Sequence, residues 1–419
     1  MTDIITVLSG IAPDGILART RTQRQQALDN AQRSFESLLE PINPGTFSFG
    51  ERYAVAAYVA GLHRDQAAFD FYSELLLDDA PAALREAVAA AVSEGLSTGP
   101  AGSYRETGLV AESEPVASVR HDAAALGGRL AAAFDAAHLW VFHPRDSRPE
   151  VLGHLSGAGW SADDLVSLAQ LVSFLAFQLR VVHGLRVVDG TAQIVRDATR
   201  VSPSAEVDWQ LSDVGFPVTT YPGISAPDVF VSHSLGWRPW APPVAKADLT
   251  PAQLEALVEP RRADMPYFRL LARDPQALKA RTLTDNDIFY NVEGGLGRAE
   301  RELSAAATSR LNGCVFCASV HANFAIEQSG RDTDVARLLA EGVEADLGCE
   351  LWNAVVAAAT ALTRTPVQFN QGHVDRLRSA GLDEASVLDV INSAAFFNWA
   401  NRLMLGLGEP EARRVAPLG

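Results

Sequence analysis

Three cysteines in 419 residues exclude a disulfide-stapled scaffold. They suit a reducing compartment, in which a close cysteine pair serves catalysis or a metal. Positive charge is also scarce. Lys and Arg number 35 against 51 Asp and Glu, a formal net charge of −16. That balance argues against a nucleic-acid partner and against anionic membrane surfaces. The opening MTDIITVLSG has no basic segment followed by a long apolar run. A cytoplasmic protein with no secretory signal is therefore expected. No stretch reads as long and uncharged enough for a transmembrane helix. Metal and nucleotide motifs are missing too. His121, His138, His143, His154 and His183 are scattered without HExxH spacing, and are read as surface or core histidines. The glycines from Gly294 to Gly297 follow no strand and read as a loop, so no cofactor is expected.

What is present is helical. Alanine is abundant, and the length favours two domains over one. A polar lead-in helix is expected from Arg19 to Leu39, with Ala27, Ala31, Phe35 and Leu38 on one face. Proline and glycine crowd residues 187–248, which read as an extended connector. Its Trp209, Phe216, Trp237 and Trp240 are too apolar for a free linker and suggest packing along a surface. Thr250 then caps a helix that has Pro251 at its first position.

The chain also matches itself. Leu155 to Leu165 precedes a helix bearing Phe174, Phe177 and Arg180. Leu377 to Val387 precedes one bearing Phe396, Trp399 and Arg402. Gly159 aligns with Gly381, and each glycine precedes a capping residue, Ser161 or Asp383. An internal duplication follows as the expectation: helical halves 1–186 and 249–419 joined by 187–248.

The chemistry concentrates at Glu300 to Gly330. Asn312 and Gly313 break a helical pattern, and Cys314 opens the next helix. Cys317 and His321 follow at one-turn intervals on the same face. A thiol at a helix N-terminus is expected to favour thiolate. Glu302, on the preceding helix, can orient His321 if the two helices form a hairpin, which gives the base and orienter of an activated nucleophile. In the first half the corresponding stretch runs from Phe49 to Leu76. With Glu51 set against Glu302, the cysteine positions fall on His63 and Gln66 and the histidine position on Asp70, so this copy lacks the thiols.

The set Glu302, Cys314, Cys317 and His321 resembles the AhpD-like alkylhydroperoxidases of the carboxymuconolactone decarboxylase superfamily, over roughly residues 249–419. Pro266 to Arg281 is similar to the peroxidase-related branch. The resemblance implies an all-α fold of two tandem AhpD-like domains, the first degenerate. It implies that Cys317 attacks a hydroperoxide, Cys314 resolves it as a disulfide, and Glu302 and His321 relay the proton. An external thiol donor would restore the pair, with no cofactor, in a homo-oligomer that could be a trimer of two-domain chains. Some members carry histidine just before the second cysteine. Phe316 stands there in this chain, which removes any relay from that position.

Two other readings use the same residues. The dithiol could reduce protein disulfides, since attack on S–S and on O–O needs the same parts. Alternatively, Cys314 and Cys317 could staple a zinc ion with Cys349 or His373 in a non-catalytic interaction protein. Cys349 is otherwise expected as a small buried hydrophobe.

Overall fold

The computed structural model describes residues 3–193, 195, 199–200, 202 and 205–412. Its described residues are overwhelmingly helical. The only named strands among them, Gly236–Pro239 and Gly408–Glu411, pair as one short antiparallel ribbon. The all-α expectation holds, and buried apolar side chains form one continuous cluster through both halves of the chain.

The lead-in is a clasp. A helix over Ile16–Arg21 and a 3-10 turn over Thr22–Arg24 precede the helix Gln25–Leu39, whose Ala27, Ala31, Phe35 and Leu38 are buried as the pattern requires. The expected continuous helix breaks at Arg24 for a tertiary reason. Its guanidinium donates to Asp389 from Nε at 2.9 Å and Nη2 at 2.7 Å, and to the carbonyl of Glu293 at 3.1 Å. The amide of Ala27 donates to Asp287 at 2.8 Å, so the N-terminal segment is fastened onto the C-terminal half.

Two helical hairpins correspond. Helices Phe49–Leu62 and Gln66–Asp79 match Arg298–Asn312 and Val315–Ser329, with 249 positions between their starts in both cases. The joint residue is left-handed in each, Arg64 at φ 58° and Gly313 at φ 78°. This corrects the expected register by two residues. Tyr53, not Glu51, stands at the position of Glu302. Asp65 and Ala68 stand at the positions of Cys314 and Cys317, and Tyr72 at that of His321. Glu51 instead closes a capping box with Ser48 and pairs with Arg129 at 2.8 Å. The slip arose because a helix-opening glutamate satisfies backbone N–H groups wherever it occurs, so its presence does not fix register.

The long helices Ala162–Val188 and Glu384–Leu407 carry the expected devices. Gly159 and Gly381 are left-handed at φ 93° and 97°, and Ser161 and Asp383 cap the helices that follow. The two helices pack on each other through Phe174, Phe177, Phe396 and Trp399. Their contacts are reciprocal. Buried Arg180 donates to the carbonyl of Thr363 at 2.9 Å, and buried Arg402 donates to that of Val141 at 3.0 Å. Arg402 lies 222 positions after Arg180, and Thr363 lies 222 after Val141. Residue i meeting j while the counterpart of j meets the counterpart of i is the pattern of a two-fold interface.

One exclusion drawn from the sequence is corrected. Ala162–Val188, 27 residues long, is apolar enough by length and composition to cross a membrane, and 94% of its most apolar window is buried inside the chain. Both faces of this helix meet other helices, so apolar residues surround it. The connector does pack along a surface. Trp240 is fully buried and its amide donates to the carbonyl of Leu407, while Trp237 Nε1 donates to the carbonyl of Met404 at 3.1 Å. Pro203 of the connector lies outside the described residues.

Candidate active site

The turn that presents the thiols is built from backbone requirements. Helix Arg298–Asn312 ends where Gly313 turns left-handed, and the amide of Cys314 donates back to the carbonyl of Ser309 at 2.9 Å. Cys314 is the N-cap of Val315–Ser329, and its own carbonyl accepts from Ala318 at 2.9 Å. The helix then places Cys317 and His321 in successive turns on one face.

Glu302 and His321 meet as the hairpin reading expects. His321 Nδ1 and Glu302 Oε2 are 2.6 Å apart, and the carboxylate is 0% exposed. Arg298 Nε donates to the other oxygen, Oε1, at 3.2 Å. A carboxylate on Nδ1 keeps the proton on that nitrogen, which leaves Nε2 as the basic atom. The ring of Phe397 packs edge-on to the imidazole at 4.0 Å between centroids, and Phe289 stands 5.7 Å away. These rings cover one side of the imidazole.

Both thiols are buried, Cys314 at 1% exposure and Cys317 at 5%. The expectation that the helix terminus makes Cys314 a thiolate is overturned. Burial, followed by the neighbouring Cys317, pushes the Cys314 thiol well above the ordinary thiol range. Burial thus favours the protonated form of Cys314.

Residues far away in sequence close over the turn. Arg105, Glu106 and Arg145 from the N-terminal half, Trp237 from the connector and Met404 from the last long helix line a small pocket against Cys314 and Phe316. The Arg145 guanidinium lies 4.5 Å from the Tyr104 ring centroid, and both side chains press on Gly313. Arg310 pairs with Glu112 through two 2.8 Å bonds. No local pattern marks Tyr104, Arg105 or Arg145, because these contacts span some two hundred residues of chain.

The remaining candidates lie elsewhere. Cys349 is half-buried at the N-terminus of helix Glu350–Thr363 and lines a pocket with Ser329 and Arg331, at the far end of Val315–Ser329. That end is about 18 Å along the helix axis from Cys317. The backbone N–H of Trp352, with help from Arg331, pulls the Cys349 thiol below the ordinary range, so the buried-hydrophobe expectation is corrected. His373 lines a separate groove with Thr360 and Arg376. Among the described residues no group of three or more His, Cys, Asp or Glu is arranged to hold a metal. Four of the five histidines read as scattered, His121, His138, His143 and His154, in fact lie together. Asp135 binds His121 Nδ1 at 2.8 Å and His154 Nε2 at 3.0 Å, Tyr58 Oη sits 2.7 Å from His121 Nε2, and the ring of His138 lies between those of His121 and His143.

No curated protein matches the chain. Residues 275–361 do match the model of the carboxymuconolactone decarboxylase family, a narrower stretch than the resemblance over 249–419 implied. The matched stretch contains Glu302, Cys314, Cys317 and His321. This segment of the chain is therefore similar to the carboxymuconolactone decarboxylase family.

Proposed function

We propose that the chain is a dithiol oxidoreductase that reduces organic hydroperoxides. The observation that carries this reading is the fully buried Glu302 carboxylate bound to His321 Nδ1 at 2.6 Å, one helical turn beyond Cys317. A buried carboxylate on an imidazole has a clear use beside a thiol that must lose its proton. His321 Nε2 takes the proton of Cys317. The thiolate attacks the terminal oxygen of the peroxide, the O–O bond breaks, and Cys317 becomes a sulfenic acid. The leaving alkoxide takes the proton from the imidazolium. Cys314 then gives up its proton and attacks the sulfenic sulfur, and the hydroxide leaves with that proton as water, which gives the disulfide. Two electrons from an external dithiol restore both thiols.

The two halves serve this reading as tandem copies. The first has lost its dithiol, and it contributes Arg105, Glu106 and Arg145 to the wall over the second. The reciprocal contacts of Arg180 and Arg402 support a common origin for the halves. A cytoplasmic setting and assembly into a homo-oligomer belong to the same proposal.

The test is a thiol count before and after one equivalent of an organic hydroperoxide. Loss of two thiols, with a Cys314–Cys317 disulfide identified by peptide mass, is the expected result. No loss of thiols would overturn peroxide reduction, and protein disulfides would become the next substrates to assay.

A further inference from the structure

Arg281 departs from a rule that the other buried arginines obey. Arg24, Arg52, Arg180, Arg301 and Arg402 each donate to carbonyl or carboxylate oxygens of the protein. Arg281 is 4% exposed, its Nε has no partner, and its guanidinium makes no hydrogen bond or ion pair among the described residues. Asp285, one turn on, offsets its charge through space but accepts no hydrogen bond from it, so its N–H groups are left for an oxygen supplied from outside the protein. The group is held by ring faces: Phe396 at 5.0 Å, Tyr267 at 5.9 Å and Trp399 at 6.0 Å from its central carbon. Cation–π contacts of this kind fix a guanidinium in place and leave its N–H edges free.

Tyr267 adds a second unpaired donor. Its Oη is buried and has no hydrogen-bond partner. The ring stands edge-on to Trp237 at 5.4 Å, and Trp237 lines the pocket against Cys314. Arg281 connects to the relay as well. It shares helix Pro275–Tyr290 with Asp285 and Phe289 at successive four-residue steps, which places the three on one face. Phe289 packs on the His321 imidazole at 5.7 Å. Phe396, beneath Arg281, touches Phe289 at 6.1 Å. Ring contacts thus link the two free donors to the pocket against Cys314 on one side and to the His321 imidazole on the other. Burial chiefly raises the Tyr267 hydroxyl above the ordinary tyrosine range, against the opposing charge of Arg281 and with a contribution from the neighbouring Cys317, which favours the donor form.

We propose that Arg281 and Tyr267 are catalytic residues that bind the leaving oxygen of the hydroperoxide. This rests on the peroxide reading of the dithiol. As the Cys317 thiolate bonds to the terminal oxygen and the O–O bond breaks, the electron pair moves onto the oxygen that carries the alkyl group. Arg281 and the Tyr267 hydroxyl stabilise that oxyanion until it accepts the proton carried by His321. Neither residue loses a proton in the cycle. Donors fixed in advance where charge develops are worth most in a site that excludes water.

The experiment compares two rates in wild type, Tyr267→Phe and Arg281→Met. One is loss of thiols to cumene hydroperoxide in a single turnover. The other is alkylation of Cys317 by iodoacetamide, followed by peptide mass, which probes the thiolate and involves no O–O bond. The expected result is a drop of about 10²-fold in the peroxide rate for each variant, with Cys317 alkylation unchanged. Tyr267→Phe deletes an oxygen that no protein group binds, so it reports even if Arg281→Met fails to fold. Unchanged peroxide rates would overturn the proposal, and so would equal losses in both rates, which would place the two residues in control of the thiol itself. Wild type that ignores the peroxide but reduces disulfides would remove the peroxide reading and this subsite together. Unaltered variants of a peroxide-active wild type would remove the subsite alone.

Discussion

Glu302 and His321, nineteen residues apart on the two arms of one hairpin, share a 2.6 Å hydrogen bond from which solvent is excluded on the carboxylate side. A relay of this kind acts as a unit. Glu302→Gln and His321→Ala are each expected to slow single-turnover thiol loss to hydroperoxide by about 10²–10⁴-fold, the usual size of general-base catalysis. The double variant should be no slower than the slower single variant, because the second change removes nothing further. Multiplied losses would show that the two residues act separately.

Cys317→Ser is expected to abolish turnover. Cys314→Ser should still allow one attack and leave a sulfenic acid on Cys317 that a dimedone probe captures. The Cys314 thiol also predicts a pH dependence of stability. Its folded-state pKa is raised by burial, so the folded chain holds this proton after the unfolded chain has released it. The stabilisation is complete below the unfolded thiol value, about 8.5, and is lost as pH rises above it. Relative to Cys314→Ser, the wild type should lose up to about 1.4 kcal/mol of stability per pH unit in that range. Denaturant titrations of both proteins from neutral to alkaline pH would measure the difference. Parallel curves would remove the assignment.

Gly313 should not tolerate a side chain. Its φ of 78° is left-handed, and an added Cβ would lie 3.2 Å from both Arg145 Cδ and Tyr104 Cε1. Gly313→Ala is expected to cost about 1–3 kcal/mol and to reduce peroxide turnover by moving Cys314. Denaturation midpoint and single-turnover rate, measured on the same preparation, would test both halves of this prediction.

The junction between the long helices is close-packed at Gly184, where a Cβ would lie 2.6 Å from Ile391 Cγ2. Gly184→Ala should destabilise by about 1–3 kcal/mol through overpacking. Ile391→Ala alone should cost about 2–5 kcal/mol by leaving a cavity. Combined, the two should cost less than the sum, since the added methyl fills part of the space vacated. Strict additivity in denaturation would show that the helices do not meet at this point.

The sequence by itself determined whatever depends on neighbours along the chain. Helix content follows from alanine and periodicity. The glycine stop at Gly313, the caps at Ser161 and Asp383, and the one-face spacing of Cys314, Cys317 and His321 are all set within a few residues, by backbone conformation and the 3.6-residue turn. The partnership of Glu302 with His321 was also legible, because a hairpin joined by a single left-handed residue must fold back on itself. Only the tertiary structure decided what depends on distant chain. Arg24 breaks the lead-in helix because Asp389 lies 365 residues away in sequence but 2.7 Å away in space. The register of the first hairpin is set by the left-handed Arg64, a conformation that its residue type does not announce. Cys314 remains a thiol although it begins a helix, since Arg105, Arg145 and Trp237 close over its turn and desolvation outweighs the helix dipole. Local conformational preference is written residue by residue, whereas burial is a property of the packed whole.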